Sequence, residues 1–413
     1  QPGRYAPKAF RELWGMSAPP GTPDFPEPER FTAETYQKNY HNPKDDWGRD
    51  GGVLRCDADG GKLEIISQGA RNPWDIAMDD SFSWLGTDND QSKGDQIFMP
   101  FPGAHFGWNH MWSSHWGTEP HAPTAPVSGP LFEGSGTGII YGNSAAFPDS
   151  HREVFFINDW LNKTTFVWRP RWDGALLRAE NGLEPFIVGD KSLFRPTDIE
   201  TGPDGALWVL GWGSGYGAEY KDGEMTSEGR VFRISYQGRT LADTNEPLRE
   251  TPYSDWPLDG LLHDLESHLP VRRTDAQEEL VRRGGAVVPQ LLRELKGDVS
   301  VRLETWLVWT LARIAVNDES IDRNLATLFS ESGDSLNRRI QSLRALADRD
   351  GWNGRKASTE PIRIALLASD PRLRFEGILA IRRAKPAAAR KFLETVLAGE
   401  KDEGNEEIGT KKK

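Results

Sequence analysis

A single cysteine, Cys56, in a chain of 413 residues leaves no room for a disulfide framework, a cysteine-based zinc site or a Cys-x-x-Cys-His haem attachment. The apolar run of about 18 residues that a membrane-spanning helix needs is also missing, and the mean hydropathy is -0.61. Basic charge is in deficit: 50 Lys and Arg stand against 62 Asp and Glu, a formal net charge of -12. The deficit is local. Residues 1–256 hold 23 basic and 37 acidic side chains, whereas residues 257–413 hold 27 and 25. An acidic half argues against a nucleic-acid partner, whose affinity rests on Lys and Arg meeting phosphate, and it is compatible with bound cations. No initiator methionine or signal peptide precedes Gln1, so the chain reads as a processed form or a fragment.

Turn formers and aromatics are plentiful. The 42 Gly and 28 Pro are too many for an all-helical protein, and 16 Trp exclude a disordered one. At about 100–200 residues per domain the length predicts two or three domains. Up to Tyr236 short apolar runs such as Val154-Phe155-Phe156-Ile157, Thr165-Phe166-Val167-Trp168 and Leu207-Trp208-Val209-Leu210 alternate with turns. Such runs read as strands. Asp-Gly recurs at Asp59-Gly60, Asp173-Gly174 and Asp204-Gly205, each time with another strand following. Glycine takes positive φ without strain, so Asp-Gly suits a tight hairpin. A recurring strand–turn–strand unit favours a β-propeller, with a sandwich of unrelated hairpins as the alternative.

From Leu258 onward Ala, Leu, Arg and Glu dominate. Asp298, Asp334 and Asp370 are 36 residues apart, as are Arg302, Arg338 and Arg374, and Leu307, Leu343 and Leu379 keep the register. This predicts an all-α, HEAT-like solenoid of helix pairs. Each Asp is expected at a helix start, with an Asp–Arg ladder between repeats. The expected division is a Pro-rich linker or insertion over 1–47, a partial propeller over 48–236, a linker over 237–256, HEAT-like repeats over 257–400 and a charged tail over 401–413.

The stretch from Gly69 to Trp108 carries the most chemistry. Asp88-Asn89-Asp90-Gln91 followed by Asp95 supplies the oxygens that a hard cation such as calcium takes, although the spacing is not that of an EF-hand. A solvated loop is the alternative. Arg71-Asn72-Pro73 precedes it, and Pro102-Gly103-Ala104-His105-Phe106-Gly107-Trp108 follows. Together these segments resemble the soluble quinoprotein glucose/sorbosone dehydrogenases, with Phe106 where that family carries tyrosine. The resemblance continues through Pro196-Thr197-Asp198-Ile199 and Gly202-Pro203-Asp204-Gly205. It is closest to a bacterial branch, the membrane-bound dehydrogenases of planctomycete and verrucomicrobial type. There, such a propeller precedes HEAT-like repeats and often a cytochrome c domain.

The resemblance implies a six-bladed propeller binding pyrroloquinoline quinone (PQQ) through calcium. Arg71 and Asn72 would contact the cofactor, and Arg195 would be a further anion contact, with a structural salt bridge as its alternative. The carbonyls of Asp90 and Gln91 would hold the cofactor's calcium, and those of Gln96 and Phe106 a second, structural calcium. The implied activity is oxidation of a carbohydrate or alcohol hydroxyl. A cytochrome c acceptor, a protein partner on the helical surface and an extracytoplasmic location are implied with it. At about 40–50 residues per blade, residues 48–236 supply about four blades. His41 is the only upstream histidine and stands in another context, so the catalytic base is expected on blades missing from this chain. His105, His110, His115 and His121, interleaved with Trp108, Trp112 and Trp116, read as blade packing, a sugar-stacking pocket wall or a metal site. Asn158-Asp159 ends a strand, either facing a pocket or bonding a blade turn. Two rivals stand beside the dehydrogenase. One is a non-catalytic propeller/HEAT scaffold for a glycan or protein. The other is a lactonase-type calcium hydrolase, which requires a side-chain cage of Glu, Asn and Asp.

Overall fold

The computed structural model describes residues 51–56, 64–89, 95–106, 125–130, 135–189, 194–213, 220–221, 224–225, 229–238, 251–331, 333, 335–352, 359–384 and 394. The chain divides into two compact units. One comprises residues 1–79, 83–171 and 177–239, and the other residues 80–82, 172–176 and 240–413. The 1–47 segment, the 401–413 tail and most of the 237–256 linker lie outside the described residues.

The first unit is built of strands: β1 (Gly51–Arg55), β2 (Glu64–Ala70), β3 (Pro73–Met78), β4 (Trp84–Asp88), β5 (Gln96–Phe98), β6 (Ala104–His105), β7 (Gly129–Pro130) and β8 (Gly136–Gly142). They continue as β9 (Val154–Asp159), β10 (Thr164–Asp173), β11 (Leu176–Val188), β12 (Pro196–Thr201), β13 (Leu207–Gly211), β14 (Tyr220–Lys221), β15 (Glu224–Met225) and β16 (Arg230–Ile234). Two four-stranded sheets, β3-β4-β5-β7 and β8-β9-β10-β11, run antiparallel in chain order. A three-stranded sheet, β12-β13-β16, repeats the device, and β14 and β15 form a ribbon between its last two strands. In the remaining sheet, β1-β2-β6, the β2–β6 pair is parallel. The result is a partly propeller-like arrangement of meander sheets, with no closed ring among the described residues.

The strand patterns follow from what covers each face. Val154 to Asp159 is buried at every position because β9 lies inside its sheet with both faces covered. β13 alternates, with Leu207 and Val209 buried and Trp208 and Leu210 exposed. Leu207, Val209 and Ile199 pack with Ile140, Phe156 and Val167, so the β12 sheet shares a core with the β8 sheet. The Asp-Gly turns form as their chemistry requires: Gly174 and Gly205 have φ of 60° and 75°, and Asp204 accepts the Ala206 N–H through Oδ1.

The first strands of the three meanders lie side by side. Thr87 donates its hydroxyl to the Thr137 carbonyl (2.6 Å), Thr137 to that of Pro196 (2.7 Å), and the Trp74 indole N–H to that of Thr197 (2.9 Å). Gly138 is needed where β8 meets β12, because a Cβ there would lie 2.6 Å from the Cα of Asp198.

The second unit holds α1 (Leu258–Leu265), α2 (Pro270–Arg283), α3 (Val288–Glu294), α4 (Val301–Ala315), α5 (Ile321–Glu331), α6 (Leu336–Trp352), α7 (Thr359–Leu366) and α8 (Pro371–Ala384). Leu307 and Leu343 are fully buried, as their shared register predicts, whereas Leu379 is half-buried. Helices α4, α6 and α8 are capped by Ser300, Ser335 and Asp370, at intervals of 35 residues rather than 36. Serine caps a helix as well as aspartate does, so the Asp-at-the-start pattern holds at Asp370 alone. Asp298 lies two residues before its cap, and Asp334 is outside the described residues.

The ladder between repeats uses other carboxylates. Arg338 pairs with Glu304 at 2.8 Å and Arg349 with Asp322 at 2.6 Å, and Arg344–Glu376 and Arg383–Asp348 continue the series. Arg302 grips Asp80 through two nitrogens (2.8 and 3.0 Å), and Phe82 sets its ring against Trp306 with centroids 5.4 Å apart. No helix among the described residues is long and apolar enough to cross a membrane.

Gly138→Ala forces β8 away from β12. The expected destabilisation is about 1–3 kcal/mol, the usual range for an overpacked core. Chemical denaturation checks it, and an unchanged midpoint would show that the contact is slack.

Candidate functional site

Asp88 closes β4 and is fully buried. A buried carboxylate must be met by donors, and three converge here. Its Oδ1 accepts the Asn72 backbone N–H at 2.7 Å. Its Oδ2 accepts the Arg71 backbone N–H at 3.1 Å and the Gln96 amide at 2.9 Å. Arg71 and Asn72 form the bend between β2 and β3, and Pro73, which has no N–H to give, opens β3. The bend leaves two consecutive N–H groups facing one carboxylate.

Asn89 completes the frame. Its N–H donates to the Asn72 carbonyl at 3.3 Å, while its own carbonyl and Oδ1 accept from Arg71 Nη1 at 3.0 and 3.3 Å. The Asn72 side chain is half-buried, and its amide forms no hydrogen bond with a described residue. A guanidinium and an amide thus stand on adjacent residues of a bend whose main chain is fixed from behind.

The other expected contacts fall as follows. Asp90 and Gln91 lie outside the described residues, as do His110, His115, His121, Trp108, Trp112 and Trp116. Gln96 commits its amide to Asp88, which leaves its backbone carbonyl as the group the calcium expectation concerns. Phe106 is fully buried, with its ring 5.0 Å from that of Phe98. Asp88 is the correction. The sequence counts it first among the cation-binding oxygens, but both its oxygens face N–H donors, because the bend at residues 71–72 and the Gln96 amide need an acceptor there. Asp95 is likewise buried and accepts the Gly136 N–H at 2.6 Å.

Arg195 stacks its guanidinium 4.3 Å above the Trp160 ring, a cation–π contact, and donates to the Trp160 carbonyl at 3.4 Å. Asp159 bonds the turn that follows it, accepting from the Asn162 N–H at 2.9 Å and its side-chain amide at 2.8 Å.

One cluster escaped the sequence reading. Pro73-Trp74-Asp75-Ile76 and Pro196-Thr197-Asp198-Ile199 are the same motif, and each Asp accepts the N–H of the isoleucine after it. The repeated Pro-x-Asp-Ile was the available signal. Burial pushes the Asp75 carboxyl above the ordinary carboxylate range, against the N–H groups of Ile139 and Ile76, and Asp198 adds repulsion. Glu200 is raised by burial and then by Asp198 and Asp75. Among the described residues no three His, Cys, Asp or Glu side chains converge as a metal cage, the feature a lactonase-type site requires.

Fold and site together define a propeller-like sheet unit that carries a clamped arginine–asparagine pair, in a chain whose other unit is helical. The model of a domain of unknown function, DUF7133, matches residues 31–216. No curated protein matches. Among solved structures, a glucose dehydrogenase is 20% identical over 49% of this chain and 58% of its own, with a TM-score of 0.34. The soluble aldose sugar dehydrogenase of Escherichia coli, in its apo-form, is 24% identical over 43% and 49%, with a TM-score of 0.30. The PQQ-bound form of the aldose sugar dehydrogenase of Streptomyces coelicolor is 19% identical over 46% and 54%, with a TM-score of 0.34. The chain spans about half the length of the structures it matches.

A carboxyl whose pKa is raised by folding loses stability as pH climbs from its unfolded value through its folded one. Removing the Asp198 charge relieves Asp75 and Glu200 only where they are ionised. Asp198→Asn therefore gains on the wild type between about pH 4 and pH 7. Denaturation midpoints at the two pH values check this, and a pH-independent difference rejects the coupling.

Proposed function

We propose that the strand unit binds PQQ and belongs to a sugar or alcohol dehydrogenase-like protein that oxidises a carbohydrate hydroxyl. The observation that carries this reading is the Arg71-Asn72 pair, clamped at its backbone and standing in the segment that resembles the quinoprotein motif. The donor set fits the group: PQQ presents carboxylates and quinone carbonyls, all acceptors, to a guanidinium and to an amide without a described partner. Arg195 is a further candidate contact. The calcium expectation concerns the carbonyls of Asp90 and Gln91 for the cofactor's ion and of Gln96 and Phe106 for a second one. When bound, PQQ supplies the acceptor for a hydride equivalent from the carbon bearing the hydroxyl. Arg71 and Asn72 bind and orient; no residue of this chain is assigned as the base.

The helical unit, on this reading, is a HEAT-like scaffold, the substrate a small carbohydrate or alcohol, the electron acceptor a cytochrome c and the location extracytoplasmic. A second reading, a glycan- or protein-binding scaffold, is favoured by one feature. Leu210, Trp212 and Val231 are exposed on the β12-β13-β16 sheet, and Leu210 pairs directly with Val231.

Calorimetric titration of calcium and then PQQ into a calcium-stripped sample separates the two. The first reading expects calcium-dependent quinone binding, weakened about 10- to 100-fold by Arg71→Ala, the loss of a charged hydrogen bond worth about 1.5–3 kcal/mol. Absence of quinone binding rejects it in favour of the scaffold.

A further inference from the structure

We propose that Asp88 and Asn89 are positioning residues for the Arg71–Asn72 pair, Asp88 acting on its main chain and Asn89 on the arginine side chain. The functional half of this inference rests on the PQQ reading above; the clamp itself does not.

The two residues divide the work by atom. Asp88 receives the two consecutive backbone N–H groups, one on each carboxylate oxygen, and so fixes the two peptide planes that flank the Arg71 Cα. Gln96 reaches the same Oδ2 and holds the carboxylate in that orientation. Asn89 takes Arg71 Nη1 with its carbonyl and Oδ1 together, while its N–H returns to the Asn72 carbonyl. Arg71 is gripped at both ends by consecutive residues of one strand terminus. An arginine free to rotate loses rotamer entropy when it meets an anion, and one already held in place has lost it on folding. Asp88 is fully buried and Asn89 nearly so, so neither contact is exchanged for water.

Asp88→Asn keeps the volume and removes one acceptor, turning an NH2 group toward a backbone N–H. The measurement uses the full chain in four forms: wild type, Asp88→Asn, Arg71→Gln and the double variant. Hydrogen exchange at the Arg71 and Asn72 amides reads the clamp, and PQQ titration in calcium reads its consequence. The expected result is exchange at least about tenfold faster at those two amides in Asp88→Asn, with the rest of β3 unchanged, and quinone binding about tenfold weaker. In the Arg71→Gln background the Asp88 substitution should add less than its full loss, because part of its effect acts through that arginine.

Unchanged exchange at both amides overturns the clamp, and additive losses in affinity overturn positioning, since a purely structural defect adds. Asn89→Ala leaves the backbone bonds to Asp88 in place and takes the same cycle against Arg71→Gln, which keeps the test decisive if Asp88→Asn does not fold. A wild type that binds no PQQ rejects the functional reading and the positioning role toward PQQ, while the exchange measurement still decides the clamp.

Discussion

A buried carboxylate that must find donors is the constraint on which the strand unit depends. Asp88 has no water to solvate it, so the chain has to bring N–H groups to it, and those of Arg71 and Asn72 are the ones that arrive. Once they do, the bend before β3 is fixed, Pro73 enters the sheet opposite Asp88, and Asn89 is in reach of the arginine it holds. Gln96 completes the set from β5, so β4, β5 and the bend that leads into β3 meet at a single side chain. No hydrophobic contact could impose that geometry, because apolar burial is proportional to area and has no direction.

The same device joins one sheet to the next. Ser135 and the β8 strand that follows it donate three backbone N–H groups to carboxylates: Ser135 to Asp159, Gly136 to Asp95 and Ile139 to Asp75. Asp75 lies in β3 and Asp95 immediately precedes β5. The acidic excess of the first 256 residues therefore has a partly structural meaning, with carboxylates serving as acceptors for backbone that neighbouring strands leave unpaired. The cation-binding inference that such an excess invites from sequence is correspondingly narrower. In the helical unit the acids have a different task, pairing with arginines from the next repeat, as Glu304 does with Arg338 and Asp348 with Arg383. Few of those acids are in surplus, which accords with the near balance of charge there.

What could be read in advance follows from this difference. Strands such as Val154 to Asp159 and turns at Asp173-Gly174 and Asp204-Gly205 announce themselves because periodicity and φ preference are local properties. The helices beyond Leu258 are legible for the same reason, although the spacing read between their starts came out one residue long. Matching Asp and Arg residues were aligned, whereas the helices start from Ser300, Ser335 and Asp370. The candidate site was legible as a place but not in its internal roles. Asp88, Asn89 and Asp95 look alike as oxygen donors in a row. Which of them turn inward depends on N–H groups left open at residues 71–72 and 136, tens of residues away. The Asp75–Asp198 pairing was hidden likewise, since two copies of a short motif do not reveal that their strands are close enough to interact.

The contrast between Asp88 and Asn72 bears on what the bend is for. Every oxygen of the Asp88 carboxylate is met, whereas the Asn72 amide, half-buried on the adjoining strand, meets no described partner. An Asn or Asp that only turns the chain usually bonds backbone a few residues on, as Asp159 does at Asn162. Asn72 gives its main chain to Asp88 and Asn89 and keeps its side chain out of both bonds. On the proposed reading, main chain held from behind beneath an amide without a described partner and a braced guanidinium suits a recognition surface, because the conformational entropy of the pair is lost on folding and not on binding.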